Sequence, residues 1–470
     1  MNTPHPSSAT RVERDSMGEV AVPGDALYGA QTQRAVQNFG IAQRPLPRAF
    51  VEALLLQKAA AARANAALGQ LPGEVAEAIA QCAIGLSESP GLMAHFPIDV
   101  CQTGSGTSSN MNANEVLARL ASQQLGGREI SPNDHVNASQ SSNDSIPTVL
   151  HLSAALALHE ELLPALDALQ ATLATRMADA GHHLKTGRTH LMDAMPLRLG
   201  QELGGWAAQL RARREQLQDL LNGPLSALAQ GGTAVGTGVN APAGFAERFA
   251  VELSQLSGLS LRPAPDFFAA LSSVDTAVAL SGALKALAVT LMKIANDLRW
   301  MNSGPLAGLA EITLPALQPG SSIMPGKVNP VVPEAVAMAC AQVIGWDTAI
   351  TVAGQSGNFQ LNVMLPLVAT NLLDATAWLA RACRSLDEQA LRGFRVNDEA
   401  LQRALARNPI LVTALNARIG YLRAAEIAKA AYAQGRPILD VAAEMTPLSR
   451  EELQTLLDPA RLATPEPPPR

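Results

Sequence analysis

VDTAVALSGALKALAVTLMKIANDLRW, running from Val274 to Trp300, is the stretch that decides the fold. Leu280, Leu284, Leu287, Leu291, Ile294 and Leu298 recur at alternating steps of four and three. That spacing lines one face of a helix and is the seam of a long bundle helix. Leu162, Leu166, Leu169 and Leu173 repeat the pattern, with Pro164 predicting a kink. Leu199, Leu203, Trp206 and Leu210 repeat it again, in a helix predicted to stop at Asn222-Gly223-Pro224. A fourth apolar helical region follows Pro330, and a fifth covers Leu361 to Leu391, interrupted by Pro366. Helices this long and apolar on several faces imply burial against other chains as well as against one another.

Working outward, residues 139–396 form a central long-helix domain and residues 1–138 an N-terminal helical domain. Beyond Arg395 the helices shorten and charge rises, which makes 397–470 a small C-terminal helical domain. The first ~15 residues and the Pro-rich end, Thr464 to Arg470, are predicted to be disordered. No short repeat and no alternation typical of a large sheet is present, so the expected class is mainly all-α. A length of 470 residues agrees with roughly three domains. Aromatics are only 3% against 47% hydrophobic residues, so the core must come from Leu, Ala, Val, Ile and Met, which favours packed helices.

The net charge of −6 and the lack of a Lys/Arg run argue against a nucleic-acid partner. An anionic ligand must then be drawn by local cations. Cys82, Cys101, Cys340 and Cys383 show no metal spacing and read as reduced, packed thiols of a cytoplasmic protein. Met1 to Asp15 lacks the apolar core of a secretion signal, and no uncharged apolar run is long enough to span a bilayer.

Four loops are rich in neutral hydrogen-bonding side chains: Thr103 to Asn112, Ser139 to Asp144, Thr186 to Asp193, and Gly320 to Pro330. Each abuts a long helix, where hydroxyls, amides and backbone N–H groups make a carboxylate receptor. The last reads Gly-Ser-Ser-Ile-Met-Pro-Gly-Lys-Val-Asn-Pro, and Asn329-Pro330 is a helix-opening pair. Gly320 to Lys327 fails the Walker A spacing, and Gly104-Ser-Gly lacks the third glycine of a dinucleotide loop. The eight histidines give no metal-ligand set. His182-His183 read as a solvated helix end whose rings point apart. His190 sits in a polar turn, and Glu334 is its candidate carboxylate partner, one turn into an apolar helix.

These four loops, in this order, resemble the class II fumarases of the fumarase/aspartase superfamily, and the resemblance runs from Arg11 nearly to the end. Met324-Pro-Gly-Lys-Val-Asn-Pro and Gly187-Arg-Thr-His resemble the fumarase forms; aspartases typically carry Ala at 326 and Gln at 190. The resemblance implies three mostly helical domains and a homotetramer whose central five-helix bundles form a twenty-helix core. Each active site would join loops from three subunits. It implies reversible hydration of the small dicarboxylate fumarate to (S)-malate, a step of the tricarboxylic acid cycle, with no cofactor and no metal. Ser321 matches the family's base, and Lys327 and Asn329 the donors that stabilise the aci-carboxylate. His190 with Glu334 matches the pair that positions water. Thr107, Ser141, Ser142, Asn143 and Thr189 match the carboxylate-holding positions, with Ser105 assisting.

Arg128, Ser131, Asn133 and Asp134 match a secondary anion site, although Ser131 stands where the family usually has His. Trp346 likewise replaces a usual Asn. An ammonia-lyase of the aspartase kind is the alternative within the superfamily, and a catalytically silent helical scaffold is the alternative outside it.

Overall fold

The computed structural model describes residues 10–464. All five anticipated long helices form: Ser142–Ala180, Leu199–Asn222, Asp275–Met301, Val331–Gly354 and Leu365–Leu386. The six seam residues from Leu280 to Leu298 are all at most 1% exposed, which at about 1.5–3 kcal/mol per buried side chain makes this seam a main stabilising element. The Leu199–Asn222 helix stops where Asn222-Gly223-Pro224 predicts. Ahead of Pro164, Leu158–Leu162 adopts a π turn. The widened turn accommodates a proline ring that would otherwise meet the carbonyl four residues back.

Pro366 does not interrupt the last long helix as expected. It sits in the first turn, where its missing N–H has no partner to lose, and the helix begins at Leu365.

The chain divides into two compact units. One is built from the residues up to Pro164, Arg214–Ala288 and Ala341–Ala380; the other from Ala165–Arg213, Val289–Cys340 and the residues from Arg381 onward. In the first unit, Arg48–Ala67 packs on Gly73–Ser87 and on Phe245–Ser257, and Glu115 crosses to cap the Ala30–Asn38 helix. Its carboxylate accepts the N–H groups of Gly29, Gln31 and Thr32 at 2.9–3.2 Å, a favourable use of a negative charge at a helix start. Trp346 meets Trp378 edge-on with ring centroids 4.9 Å apart. In the second unit, Leu411, Leu415, Ile427, Val441 and Leu453 centre a small core of their own.

Residues 10–15, expected to be disordered, instead form strand β1 (Thr10–Asp15), paired antiparallel with β2 (Gly18–Pro23). Arg11 anchors this hairpin through the carbonyls of Pro23 and Tyr28, and Arg34 binds Asp15 at 2.8 Å. Residues 1–9 and 465–470 of the two predicted tails lie outside the described residues. A second hairpin, β3 (Leu184–Thr189) with β4 (Met192–Arg198), occupies the third polar loop.

Three helices, Ser142–Ala180, Asp275–Met301 and Val331–Gly354, are long and apolar enough to cross a membrane on length and composition. Charges such as Glu160, Lys285 and Asp347 interrupt them, which is why a search for uncharged runs passes over them. In Val331–Gly354 only 28% of the apolar window is buried within the chain, although Val336, Cys340, Val343 and Ile350 are buried. The four cysteines are free. Cys340 and Cys383 are buried, as expected, whereas Cys82 and Cys101 are half-buried. Burial pushes the Cys340 thiol up to about 12.

Candidate active site

The first two polar loops meet in the first unit. Thr107 opens the Thr107–Gln124 helix, and its hydroxyl lies 2.8 Å from that of Ser105. Three residues on, Asn110 donates to Ser142 Oγ at 3.1 Å, which ties this helix to the start of Ser142–Ala157. Ser141 caps that second helix in a reciprocal box with Asp144. Asn143 donates its amide to the Ala234 carbonyl at 2.9 Å. Hydroxyls of Ser105, Thr107, Ser141 and Ser142 are thus gathered at two adjoining helix N-termini, where N–H groups and helix dipoles favour an anion. Gly104 lets the first loop lie against the segment before Leu365, because a Cβ there would lie 1.5 Å from the Val363 carbonyl oxygen. Gly104→Ala should therefore push the loop off the Leu365 helix start, raising KM for a dicarboxylate at least about tenfold, as steady-state kinetics would reveal.

Below these loops lie two buried charges that sequence reasoning missed. Asp144 accepts N–H groups from Gly231 and Thr233 at 3.0 and 2.9 Å, yet burial outweighs those bonds and raises its carboxyl to about 6. Burial lowers the Lys58 ammonium to about 7, partly offset by the Asp144 charge. The available signal was Gln57-Lys58, a polar pair in the midst of Leu54 to Ala62.

Thr189 and His190 lie in the second unit, at the tip of the β3–β4 hairpin. Thr189 pairs with Met192, leaving His190 and Leu191 as a two-residue turn with φ of 55° and 61°. Both values are left-handed, as tight hairpins of this twist require, and here neither residue is the usual Gly or Asn. The tip is exposed, whereas the stem is held by ions. Lys185, 1% exposed, binds Glu202 at 2.5 Å and Glu311 at 2.6 Å, and Arg188 pairs with the same Glu311. His182 and His183 do not point apart on a helix end. The helix stops at Ala180, their rings stack with centroids 4.2 Å apart, and His183 binds Asp398 at 2.8 Å.

The fourth loop is closed at its neck. Asn329 does not cap the following helix as expected; its amide donates to the Gly320 carbonyl at 2.7 Å. Pro330 instead supplies the carbonyl that accepts Glu334 N–H, just ahead of Val331–Gly354. Gly320 lies so close to the returning strand of the loop that a Cβ would sit 2.0 Å from the Lys327 carbonyl oxygen. Within the loop Ser321 Oγ accepts the N–H groups of Ile323 and Met324 at 3.3 and 3.0 Å. Two donors on one hydroxyl oxygen favour its negative form. Ser322 is exposed. Lys327, Asn329 and Glu334 line a cavity of about 400 Å³ together with Asn296, Arg299 and Trp300. Arg299 is a second cation there that sequence reasoning did not select.

Among the described residues, no hydrogen bond or ion pair joins His190 to Glu334 within the chain. Of the secondary cluster, Ser131, Asn133 and Asp134 share one turn, and only Ser131 and Asp134 pair with each other. Ser131 Oγ donates to the Asp134 carboxylate at 2.9 Å and accepts Asp134 N–H, Asn133 is exposed, and Arg128 pairs with Glu74.

Comparison with known proteins agrees along nearly all of the chain. A family model described as Lyase matches residues 18–345, and one described as Fumarase C C-terminus matches 411–464. The chain is 64% identical to Fumarate hydratase class II 2 of Pseudomonas aeruginosa, covering 96% of this chain and 98% of that one. It is 54% identical to Fumarate hydratase class II of Xylella fastidiosa, over 97% and 96%. A crystal structure of class II fumarase from Schistosoma mansoni superposes with a TM-score of 0.94 at 37% identity, covering 97% of this chain and 99% of that one. The mainly helical architecture, the four polar loops and these likenesses converge: the chain belongs to the class II fumarase family and has the fumarase/aspartase fold.

Proposed function

We infer that the protein catalyses the reversible, stereospecific hydration of fumarate to (S)-malate, as a soluble enzyme of the tricarboxylic acid cycle in the cytoplasm. The observation that carries the reading is the fourth loop, where Ser321 Oγ receives two backbone N–H groups and Lys327 and Asn329 share a cavity with Glu334.

In the malate direction a base takes the weakly acidic proton from the carbon beside one carboxylate. The electron pair moves into that carboxylate, giving an aci-carboxylate with two negative charges. Ser321 is the base, acting as an alkoxide that the Ile323 and Met324 N–H groups stabilise. Lys327 and the second amide hydrogen of Asn329 are the donors aimed at the developing charge. His190, paired with Glu334, holds the water that protonates the departing hydroxyl. Ser105, Thr107, Ser141, Ser142, Asn143 and Thr189 hold the carboxylates. Arg128, Ser131, Asn133 and Asp134 stand as a secondary anion site outside this chemistry.

The assembly we propose is a homotetramer with each site shared among three subunits and a twenty-helix core. Each protomer then contributes residues 1–138, 139–396 and 397–470 as three domains. Along Val331–Gly354, Ala335, Met338, Ala341, Gly345, Thr348 and Val352 are all exposed. Their steps of three and four make a stripe of small and apolar residues suited to close helix packing. Purified protein should consume fumarate and malate, and not aspartate, in parallel ultraviolet assays. Turnover of aspartate alone would replace this reading with an ammonia-lyase.

A further inference from the structure

Lys58 takes no part in the chemistry above, yet it is fully buried in the middle of the Arg48–Ala67 helix. Its ammonium donates to two neutral side-chain amides, Gln140 Oε1 at 2.9 Å and Asn137 Oδ1 at 3.2 Å. Those residues bracket the turn that leads into Ser141. Asn137 Nδ2 closes the turn on the Gln140 carbonyl at 3.2 Å, and Gln140 Nε2 returns to the carbonyls of Val136 and Ala138, both at 3.0 Å. Asn137 Oδ1 also accepts from Asn110 at 3.0 Å and from Asn114 at 3.1 Å, both on the Thr107–Gln124 helix. Asn110 in turn donates to Ser142. One buried cation therefore holds the acceptor ends of a set of amides that ties both carboxylate-holding loops together.

A charged donor makes the strongest bond in such a set, and desolvating an ammonium is costly unless geometry repays it. A fold that needed only packing here would be served by an apolar side chain. We propose that Lys58 is a positioning residue for dicarboxylate recognition: its buried ammonium sets the Asn137–Gln140 turn, and through it the Ser141–Asn143 helix start, in the geometry that receives a substrate carboxylate. This rests on the functional reading given above.

Lys58→Met keeps the length of the stem, and Asn137 and Gln140 retain amide donors from Asn110, Asn114 and Gln57, so the variant should fold. Its KM for fumarate and the Kd of the unreactive dicarboxylate succinate, read by calorimetry, should both rise about tenfold, with kcat changed less than about threefold. Gln140→Met should do the same, and the double variant should be no weaker than the weaker single, because both act on one turn. Should Lys58→Met fail to fold, Gln140→Met alone decides through the same split.

An unchanged KM and Kd, or a parallel fall in kcat and melting temperature without that split, overturns the proposal. Wild-type protein that binds succinate but leaves fumarate intact would overturn the hydratase reading, while the succinate Kd of the variants still decides the role of Lys58. Wild-type protein that binds no dicarboxylate overturns both.

Discussion

Ser321→Ala should lower kcat by about a thousandfold or more, within the range attributed to a positioned base, while KM moves by less than about threefold. The effect should be confined to chemistry. Ser321 Oγ accepts the N–H groups of Ile323 and Met324 in a largely exposed loop, so no core contact is lost. Circular dichroism and size-exclusion profiles should match the wild type. Ser322→Ala is the control: its neighbouring hydroxyl is exposed, and its removal should leave the rate within a few-fold. If Ser321→Ala kept more than a tenth of the wild-type rate, the base would have to be sought elsewhere.

The other large effect is a gain. His190→Ala and Ser321→Ala, each nearly inactive alone, should recover activity when co-expressed and assembled together. His190 stands on an exposed hairpin tip and, among the described residues, has no bond to Glu334 or to the fourth loop of its own chain. In the proposed tetramer a site draws His190 from one protomer and Ser321, Lys327, Asn329 and Glu334 from another. Random mixing then leaves about a quarter of the sites with both groups intact. Activity near that fraction, measured on the mixed tetramer with fumarate, supports shared sites. A mixture as inactive as its parents shows that each chain builds its site alone.

The helical architecture was legible because it rests on periodicity. The seam from Leu280 to Leu298 is buried throughout, and the helix stop at Asn222-Gly223-Pro224 holds. Helix bounds were legible only where local chemistry sets them. Pro366 can open a helix as easily as break one, and only tertiary context decides between those uses. The β3–β4 hairpin was illegible for a different reason. Its stem is held by charges on Lys185, Arg188 and Glu202 together with Glu311, 126 positions beyond Lys185, and shows no alternation of apolar residues.

The site was readable as a set of loops and not as a network. Ser141 and Asp144 form the expected kind of helix start, but Lys58 beneath them bonds residues 79 and 82 positions away, and no spacing connects them. Asn329 shows the reverse case. Its position before Pro330 reads as a cap, whereas its amide spans nine residues to Gly320.

That bond across nine residues has a thermodynamic meaning. A segment free at both ends of its travel loses much conformational freedom each time it settles over a ligand, and that loss is subtracted from affinity. With Asn329 pinning its base to Gly320, the segment from Ser321 to Val328 is a closed loop of fixed circumference. The entropy of ring closure is settled during folding, so a ligand that orders this loop has less chain freedom to remove.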